Sequence, residues 1–374
     1  MNLTSVAQCI KKQIMKKKKT ICFVAGKSGG HLIPALTLAK KFSKQNKNTF
    51  VLLFTTKSIL DKKIVSESNS INKNVYINLG NITYKNPLKL LRFAIHSIIA
   101  FFKSFFHLCK TRPQKVVSLG GYVSVPVCLA AFVLRIPIEL FELNAVPGKA
   151  IAFLSPITTS INVCFEQTTS YFNPKKCQLA QYPIRFEEES CENIAPILHK
   201  HNLLPSKYTI LILGGSQGSV AINNIMKMWM TKNRNILNQI QIIHQTGAYD
   251  STNWHEFYKV LNVTAITFDF KNEIKDYYQA ADIVICRSGA GTLFETIFFQ
   301  NKCITIPLET NTTSHQIDNA TAMANTYPQF VKTFRQKELE DNLDLLSNLL
   351  KPLIEQKISV IPKTDTLFQK QSNL

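Results

Sequence analysis

Short apolar runs alternate with longer amphipathic segments along most of the chain. The runs have the length of strands that are buried on both faces, and the segments between them repeat apolar residues every three or four positions, as helices do. The predicted strands are Thr20–Ala25, Phe50–Thr55, Lys115–Leu119, Ile138–Phe141, Thr209–Leu213, Gln241–Gln245, Ala265–Phe268, Asp282–Cys286 and Cys303–Pro307. Strands that alternate with helices indicate parallel sheets covered on both faces. The pattern predicts an α/β protein with two Rossmann-like domains.

The break between the two series of strands lies in the segment "AQYPIRFEEE". Pro183 interrupts regular structure there, and a polar, acidic stretch follows, so we place the hinge at Tyr182–Arg185. From about Lys332 the helical periodicity continues without a new strand, and this segment is expected to pack back on either domain. The predicted divisions are a basic leader at 1–19, an N-terminal domain at 20–182, a C-terminal domain at 183–331, a helical segment at 332–362 and a tail at 363–374.

Composition narrows the class of protein. The chain has 374 residues and 45% hydrophobic content, which is enough for two cores. Its nine cysteines are odd in number and form no CxxC pair, so they fit neither a disulfide framework nor a zinc site and indicate a reducing compartment. The net charge of +20 calls for a polyanionic partner, either nucleic acid or an anionic membrane surface. The basic leader lacks the apolar core of a secretory signal and is expected to be disordered, with Met15 as an alternative start.

Residues 86–112, "NPLKLLRFAIHSIIAFFKSFFHLCKTR", form a basic aromatic segment. Its longest uncharged stretch, Phe93–Phe102, is far shorter than the roughly 20 residues that span a bilayer. Large apolar residues framed by lysine and arginine are typical of a helix that lies in a lipid headgroup layer. A helix that buries its phenylalanines on a sheet is the alternative, and both can hold for different faces. The predicted membrane-facing residues are Phe93, Ile98, Phe101, Phe102 and Phe105. A nucleic-acid groove is disfavoured because no RNP, KH or zinc-finger pattern is present.

Glycine-rich loops follow several predicted strands and precede helices. The first, "GKSGGH", lacks the glycine spacing of a Walker A loop and of a dinucleotide fingerprint. The second, "LGGSQGS", places Gly214–Gly218 at a helix start, where backbone N–H groups and the helix dipole form an anion site and Ser216 adds a hydroxyl. A tight turn with a serine N-cap is the alternative.

Two further motifs carry polar side chains at helix starts. In "CRSGAGTLFE" the carboxylate of Glu295 could accept hydrogen bonds from both hydroxyls of a ribose, although Thr292 and Glu295 also match a purely structural capping box. In "TTSHQIDNA" the side chains of His315, Gln316 and Asn319 could bind sugar hydroxyls or form a solvated cap. Ligands of open α/β sheets bind beyond the carboxyl ends of the strands, so the loops are expected to converge on one cleft between the domains.

Eight motifs occur in the order found in the MurG family: "GKSGGHLIPALTLA", "SLGGYVSVP", "ELNAVPG", "YPIR", "LGGSQGS", "HQTG", "CRSGAGTLFE" and "HQIDNA". The sequence therefore resembles peripheral membrane glycosyltransferases of peptidoglycan synthesis. These enzymes move N-acetylglucosamine from UDP-N-acetylglucosamine to N-acetylmuramoyl-pentapeptide on undecaprenyl diphosphate (lipid I), giving lipid II. The resemblance implies a GT-B fold, an anionic membrane surface as partner at the cytoplasmic face of the bacterial membrane, and neither a nucleic-acid partner nor a cofactor or essential metal.

The resemblance also implies roles for individual residues in an inverting displacement. His31 is the first candidate for the general base because imidazole titrates near neutral pH, and Glu142 is the second. His31 could instead bind the acceptor diphosphate or be purely structural. The backbone near Phe270 and Lys271 would meet uracil. The implied acceptor-binding residues are His31, Gly120, Gly121 and Tyr122. The implied donor-binding residues are Ser28, Gly29, Gly30, Asn144, Arg185, Gly215, Ser216, Gln217, Gly218, Lys271, Ala290, Gly291, Glu295 and Gln316.

The chain departs from the family at a few motif positions. Lys27 and Ser28 stand where the family has GGTGGH, and Val125 stands where it has the glycine of GGYVSGP. Phe141 and Leu143 flank Glu142 where the family has HEQNA, which would remove polar groups beside the sugar. Three alternatives therefore stay open: another UDP-sugar lipid glycosyltransferase, a UDP-N-acetylglucosamine 2-epimerase, and a catalytically weakened UDP-N-acetylglucosamine-binding protein.

Overall fold

The computed structural model describes residues 19–26, 28–46, 48–80, 87–187, 194–309 and 315–360. Most of the predicted leader, Lys27 and the predicted tail lie outside the described residues. The chain divides into two compact units, an N-terminal unit that ends at Arg185 and a C-terminal unit that begins at Phe186. The division falls at the C-terminal end of the segment predicted as the hinge.

The N-terminal unit is a seven-stranded parallel sheet with helices between its strands. Its strands are β1 Lys19–Val24, β2 Thr49–Thr56, β3 Lys73–Ile77, β4 Val116–Ser118, β5 Ile138–Glu142, β6 Ser160–Val163 and β7 Cys177–Leu179. Its helices are α1 Gly29–Gln45, α2 Ile59–Ser66, α3 Pro87–Thr111, α4 Ser124–Val133 and α5 Lys149–Leu154. The strand order is β3-β2-β1-β4-β5-β6-β7, and the central strands supply buried residues such as Val24, Phe54 and Leu140 to the core.

The C-terminal unit repeats this architecture with six parallel strands in the order β10-β9-β8-β11-β12-β13. The strands are β8 Tyr208–Leu213, β9 Ile240–Gln245, β10 Thr264–Phe268, β11 Ile283–Cys286, β12 Lys302–Thr305 and β13 Val331–Thr333. The helices are α6 Ala195–Lys200, α7 Val220–Lys232, α8 Trp254–Val260, α9 Lys275–Ala280, α10 Ala290–Phe298, α11 His315–Thr326, α12 Gln336–Asp341 and α13 Asp344–Val360. The predicted α/β class and the two parallel sheets are confirmed.

The C-terminal helices belong to the second core. Leu346, Leu350 and Ile354 of α13 are buried in the same cluster as Trp229 of α7. The indole Nε1 of Trp229 donates a 3.1 Å hydrogen bond to Ser347 Oγ. The segment predicted to pack on either domain therefore packs on the C-terminal unit.

Every strand predicted from the sequence is present, but β3, β6, β7 and β13 were not predicted. The expectation that no strand begins near Lys332 is wrong, because β13 includes that residue. β3, β7 and β13 lie at the edges of their sheets, where one side lacks a neighbouring strand. Edge strands bury less surface and therefore carry more polar residues, which weakens the pattern by which strands are recognised.

Strand order also fixes where a ligand can bind. In the N-terminal unit the chain reverses its direction of travel across the sheet between β1 and β4, and in the C-terminal unit it does so between β8 and β11. Doubly wound sheets bind ligands at the carboxyl ends of the strands at such a reversal. Glycine-rich loops follow all four of these strands. Among the described helices, none has both the length and the apolar content needed to cross a bilayer.

Candidate functional site

The glycine loop after β8 is packed backbone to backbone against the loop after β9. Gly218 and Gly247 have positive φ angles of 78° and 81°. A Cβ added to Gly218 would lie 2.5 Å from Gly247 Cα, and a Cβ on Gly247 would lie 2.6 Å from Gln217 O. Real side chains do not tolerate such approaches, so glycine is required at both positions. The packing fixes the backbone beside Ser216, which is half-buried, and Gln217, which is exposed.

The helix that follows this loop, α7, begins with a serine-capped turn. Its N-cap is Ser219, whose Oγ accepts a 3.3 Å hydrogen bond from Ile222 N. The serine N-cap given as the alternative is therefore present, at Ser219. The 13-residue helix directs its remaining first-turn N–H groups and its positive dipole end toward the loop, which makes this loop suitable for an anion.

A buried polar network supports the two loops from behind. Asn223 of α7 donates through Nδ2 to Thr246 O at 2.8 Å and accepts at Oδ1 from the ring of His244 at 2.9 Å. The other ring nitrogen of His244 lies 2.9 Å from Tyr258 OH. Burial lowers the pKa of His244 to about 3, so the imidazole is neutral and joins the two neighbours without a net charge. The network ties α7 to the end of β9.

The loop after β11 presents the residues predicted for ribose and sugar. α10 has Gly289 as its N-cap with no side-chain capping bond, and Thr292 lies inside the helix with its carbonyl accepting from Thr296 Oγ1. The capping-box alternative is therefore wrong, and Glu295 does not cap this helix. Glu295 is buried within α10. Ala290 and Gly291 form the first turn, at the carboxyl end of the sheet.

Two further donor-site predictions fall on α11 and on the loop before α9. Gln316 Oε1 accepts from Leu308 N at 2.9 Å, which holds the start of α11 against the loop after β12. Asn319 of α11 donates through Nδ2 to Ser288 O at 3.2 Å. These bonds bring the α11 start to the loop after β11. The Lys271 ammonium donates to Tyr277 OH at 3.2 Å and lies 4.9 Å from the ring centroid, so its side chain is held on α9.

In the N-terminal unit the loops after β1 and β4 meet around His31. Gly120 and Gly121 have positive φ angles of 94° and 80°. Their added Cβ atoms would lie 3.8 Å from His31 Nε2 and 4.0 Å from His31 Nδ1, so the imidazole rests against this turn. Ser28 Oγ lies 3.4 Å from His31 Nδ1. Tyr122 follows the turn and contacts Phe93 of α3 edge-on at 6.4 Å between ring centroids.

Ser28 also begins α1 as its N-cap, although its side chain makes no capping hydrogen bond. The first two helical residues, Gly29 and Gly30, precede His31 in the first turn. Gly29 is buried and Gly30 is exposed. The structure thus brings together Ser28, His31, Gly120 and Gly121, which the sequence analysis placed on the acceptor side or beside the sugar.

Glu142 is enclosed by the loop that follows β5. Its carboxylate is 2% exposed and accepts three hydrogen bonds, from Asn144 N at 2.9 Å, from Asn144 Nδ2 at 3.1 Å and from Gly148 N at 2.8 Å. Both carboxylate oxygens thus hold the loop between β5 and α5. This geometry favours a role in positioning Asn144 over the predicted role as a base. The neighbouring Phe141 and Leu143 are buried, so their apolar character serves packing in the N-terminal unit.

Arg185, predicted to lie near the uridine phosphates, is half-buried and is the last residue of the N-terminal unit.

The basic aromatic helix, α3, has two different faces. Ala100, Ser104 and Leu108 are buried in the N-terminal unit. Phe101 and Phe105 are half-buried against the same core and Phe93 against Tyr122, so these three predicted membrane residues are largely used in packing. Ile98 and Phe102 are 58% and 53% exposed, as predicted. The exposed apolar residues that the sequence analysis missed are Leu88, Leu90, Leu91, Ile95 and Ile99.

Comparisons with known proteins cover both units. The glycosyltransferase family 28 N-terminal domain matches residues 21–163, and the corresponding C-terminal domain matches residues 209–371. A relative from Thermosipho africanus is 33% identical over 92% of this chain and 95% of its own length. A second relative, from Myxococcus xanthus, is 30% identical over 85% of this chain and 81% of its own length. Both are named UDP-N-acetylglucosamine–N-acetylmuramyl-(pentapeptide) pyrophosphoryl-undecaprenol N-acetylglucosamine transferase.

The fold also matches a solved structure. The crystal structure of Acinetobacter baumannii MurG superposes with a TM-score of 0.66 and 24% identity, over 91% of this chain and 93% of that chain. The likeness extends through both doubly wound units, which agrees with the predicted GT-B fold. Both domain models match, and the two relatives are at least 30% identical over most of the chain. The chain therefore belongs to glycosyltransferase family 28.

Proposed function

We propose that the protein transfers N-acetylglucosamine from UDP-N-acetylglucosamine to the 4-hydroxyl of N-acetylmuramoyl-pentapeptide on undecaprenyl diphosphate, converting lipid I to lipid II in peptidoglycan synthesis. The observation that carries the proposal is that one family 28 chain contains two features suited to this reaction. A rigid anion loop opens α7, and a histidine lies against the glycine turn after β4. The relatives that cover 85% and 92% of the chain bear the name of this activity.

The donor occupies the C-terminal unit in this proposal. Its diphosphate binds the N–H groups of Gly215–Gly218 and the α7 start, with the Ser216 hydroxyl as a further donor, and the family resemblance assigns Arg185 to the phosphates as well. Glu295 accepts hydrogen bonds from the ribose hydroxyls, and the backbone at Lys271 meets the uracil. Ala290, Gly291 and Gln316 surround the sugar, and the family resemblance assigns Asn144 to donor binding as well. Fixed N–H dipoles stabilise negative charge on the departing diphosphate, and we expect this to suffice without a metal ion or cofactor.

The acceptor approaches through the N-terminal unit. Its 4-hydroxyl oxygen forms a bond to the anomeric carbon, the bond from that carbon to the diphosphate oxygen breaks, and UDP leaves with the electron pair from the opposite face. His31 accepts the hydroxyl proton. Ser28 Oγ, at 3.4 Å from Nδ1, helps to fix the ring so that Nε2 is the nitrogen turned to the substrate. Gly120, Gly121 and Tyr122 bind the acceptor diphosphate.

The lipid-linked acceptor requires a membrane surface, and α3 provides a face suited to one. Exposed aliphatic and aromatic side chains along α3 would enter the headgroup layer, while Lys89 and Arg92 would meet anionic phosphates. The net charge of +20 also favours binding to an anionic membrane surface. We therefore place the protein peripherally on the cytoplasmic face of the membrane, with no nucleic-acid partner.

The test is transfer of radiolabel from UDP-N-acetylglucosamine to a soluble lipid I analogue, with and without EDTA. We expect labelled disaccharide product in both arms. UDP-N-acetylmannosamine formed from donor alone would replace the proposal with an epimerase, and donor binding without turnover would replace it with a binding protein. Transfer to diacylglycerol but not to the lipid I analogue would identify a different lipid glycosyltransferase.

The membrane part is tested separately with vesicles that contain anionic phosphatidylglycerol. Ile98→Asn and Phe102→Asn replace exposed side chains of α3, so we expect about tenfold weaker co-sedimentation for the pair with no change in donor affinity. The control is Phe132→Asn, which changes an exposed phenylalanine on α4. Equal loss in the control would contradict a specific role for α3.

A further inference from the structure

Arg287 is a buried cation in the loop after β11. It is 6% exposed, and its guanidinium makes four hydrogen bonds. Nε donates to Ser219 Oγ at 3.1 Å. Nη1 donates to the carbonyl oxygens of Ile306 at 3.1 Å and Pro307 at 3.0 Å, and Nη2 donates to Gln336 Oε1 at 2.8 Å. The guanidinium therefore joins the α7 cap, the end of β12 and the start of α12.

All four acceptors are neutral. Within the part of the chain that the structure describes, no carboxylate forms an ion pair with Arg287. The nearby Glu309 pairs with Arg335, and Glu340 accepts from Gln336 Nε2 at 2.8 Å. Burial lowers the pKa of Arg287, and Glu340 and Glu309 only partly oppose that shift. Arginine still remains charged at neutral pH, so a positive charge stays in the interior without an anion in contact.

An interior charge without a counterion is strongly unfavourable unless something compensates for it. The position of Arg287 indicates that an anion at the start of α7 would compensate for its charge. Ser219 Oγ accepts from Arg287 Nε and from Ile222 N, and Ser219 is the N-cap of α7. A single side chain, Ser219, thus joins the guanidinium to the helix start. The positive charge of Arg287 adds there to the positive potential of the helix dipole and of the N–H groups in the glycine loop.

We propose that Arg287 is a positioning residue for the donor diphosphate. It holds Ser219 and, with it, the α7 start, and it supplies positive potential that an anionic ligand at Gly214–Gly218 neutralises. The inference rests on the proposed function for the location of the donor, and it concerns how the protein stabilises negative charge on the diphosphate. It predicts that Arg287 discriminates between ligands by their phosphate charge.

The experiment compares the binding of UDP, UMP and uridine by calorimetry to the full chain and to Arg287→Gln and Arg287→Lys. Arg287→Gln is expected to weaken UDP binding by about thirtyfold, UMP by less and uridine by less than about threefold, because only the phosphate-dependent part of the affinity is lost. Arg287→Lys retains the charge and should keep the ratio of UDP to uridine affinity within about fivefold of the unmodified protein. The matched control is Arg234→Gln, which removes an exposed arginine beyond the other end of α7.

Steady-state kinetics give a second readout. Arg287→Gln should raise KM for UDP-N-acetylglucosamine and also lower kcat, since charge on the leaving diphosphate increases in the transition state. Equal weakening of UDP and uridine would mean that Arg287 only supports the fold, and it would overturn the inference. If Arg287→Gln does not fold, Arg287→Lys is the test. Loss of its preference for UDP over uridine would overturn the inference. Failure of the unmodified protein to bind UDP would overturn the proposed function as well. Intact transfer by Arg287→Gln, with an unchanged ratio of UDP to uridine affinity, would overturn only the role of Arg287.

Discussion

The loops that open α7 and α1 use glycine for different purposes. After β8, glycine lets backbone approach backbone, with Gly218 and Gly247 in contact that excludes any side chain. After β4, Gly120 and Gly121 serve the backbone, since their φ angles are 94° and 80°, whereas a Cβ added at either position would meet His31 only at ordinary van der Waals distance. Ser219 caps its helix, whereas Ser28 lies beside the histidine ring. Charge on a leaving group needs a rigid array of dipoles, while a hydroxyl nucleophile needs a titratable group.

The largest effect should come from His31→Ala. Removal of the proton acceptor should lower kcat by about a hundredfold to ten-thousandfold, while UDP affinity stays within about twofold. Transfer to a soluble lipid I analogue and calorimetry with UDP measure the two quantities. The control is His199→Ala, which removes an exposed histidine in the C-terminal unit. Near-normal turnover in His31→Ala would remove the imidazole from the chemistry and leave the N-terminal loop as a binding element only.

Gly218→Ala should break the donor loop. The added Cβ meets Gly247 Cα at 2.5 Å, and the positive φ of 78° is strained for alanine, so we expect about 3 kcal/mol lower unfolding free energy and loss of UDP binding. Gly215→Ala is the matched control, because its φ is 84° but open space surrounds the new methyl group. That change should destabilise the protein by only about 1 kcal/mol. Denaturant unfolding and calorimetry distinguish the two variants, and equal effects would contradict the packing argument.

Acid should weaken the support behind the donor loop through His244. The folded-state pKa is about 3, below the ordinary value of 6.5, so between these values the unfolded chain binds a proton that the folded chain does not. Stability from this group is complete above pH 6.5 and falls by about 1.4 kcal/mol per pH unit as the pH decreases through that window. His244→Gln should flatten the slope by that amount in denaturant unfolding followed from pH 7 to pH 4. An unchanged slope would show that His244 is not held neutral.

Glu142→Gln tests whether the second candidate base acts by positioning. An amide cannot accept all the hydrogen bonds that the carboxylate receives from Asn144 and Gly148, so we expect kcat to fall by about tenfold through a displaced Asn144. The acidic limb of the pH–rate profile should remain, because the proposed base, His31, is unchanged in this variant. Glu139→Gln on the same strand is the control: it removes the ion pair with Lys115 and should leave kcat unchanged. Loss of the acidic limb in Glu142→Gln would instead identify Glu142 as the base.

The central strands and their loops could be predicted from the sequence because each is a local pattern. Ile210–Leu213 is a continuous apolar run, and the glycines follow it directly. The edge strand β13, with the sequence VKT, has no such pattern because only its pairing with β12 makes it a strand. Phe101 and Phe105 were assigned to the lipid face, although they lie one helical turn apart and beside the buried Ala100 and Ser104.

The role of Arg287 was missed for a different reason. Its acceptors come from positions 219, 306, 307 and 336, far apart along the chain, and nothing in the motif "CRSG" shows that the guanidinium is buried. The contacts of Glu142 are local, within six residues, but a short loop can direct donors toward a carboxylate or away from it. Composition and spacing identify residues capable of chemistry, whereas the fold decides which of them are enclosed.

The contact between Trp229 and Ser347 has a consequence for how the protein is made. The inner side of α7 is covered by α13, so the helix that presents the glycine loop rests on a segment that follows it in the chain, with Trp229 and Ser347 separated by 118 positions. During synthesis, the C-terminal unit therefore cannot close its interior until Ile354 has emerged from the ribosome. A nascent chain stalled before that point should expose the Trp229 indole to water, and recombinant fragments of this half should extend at least through α13.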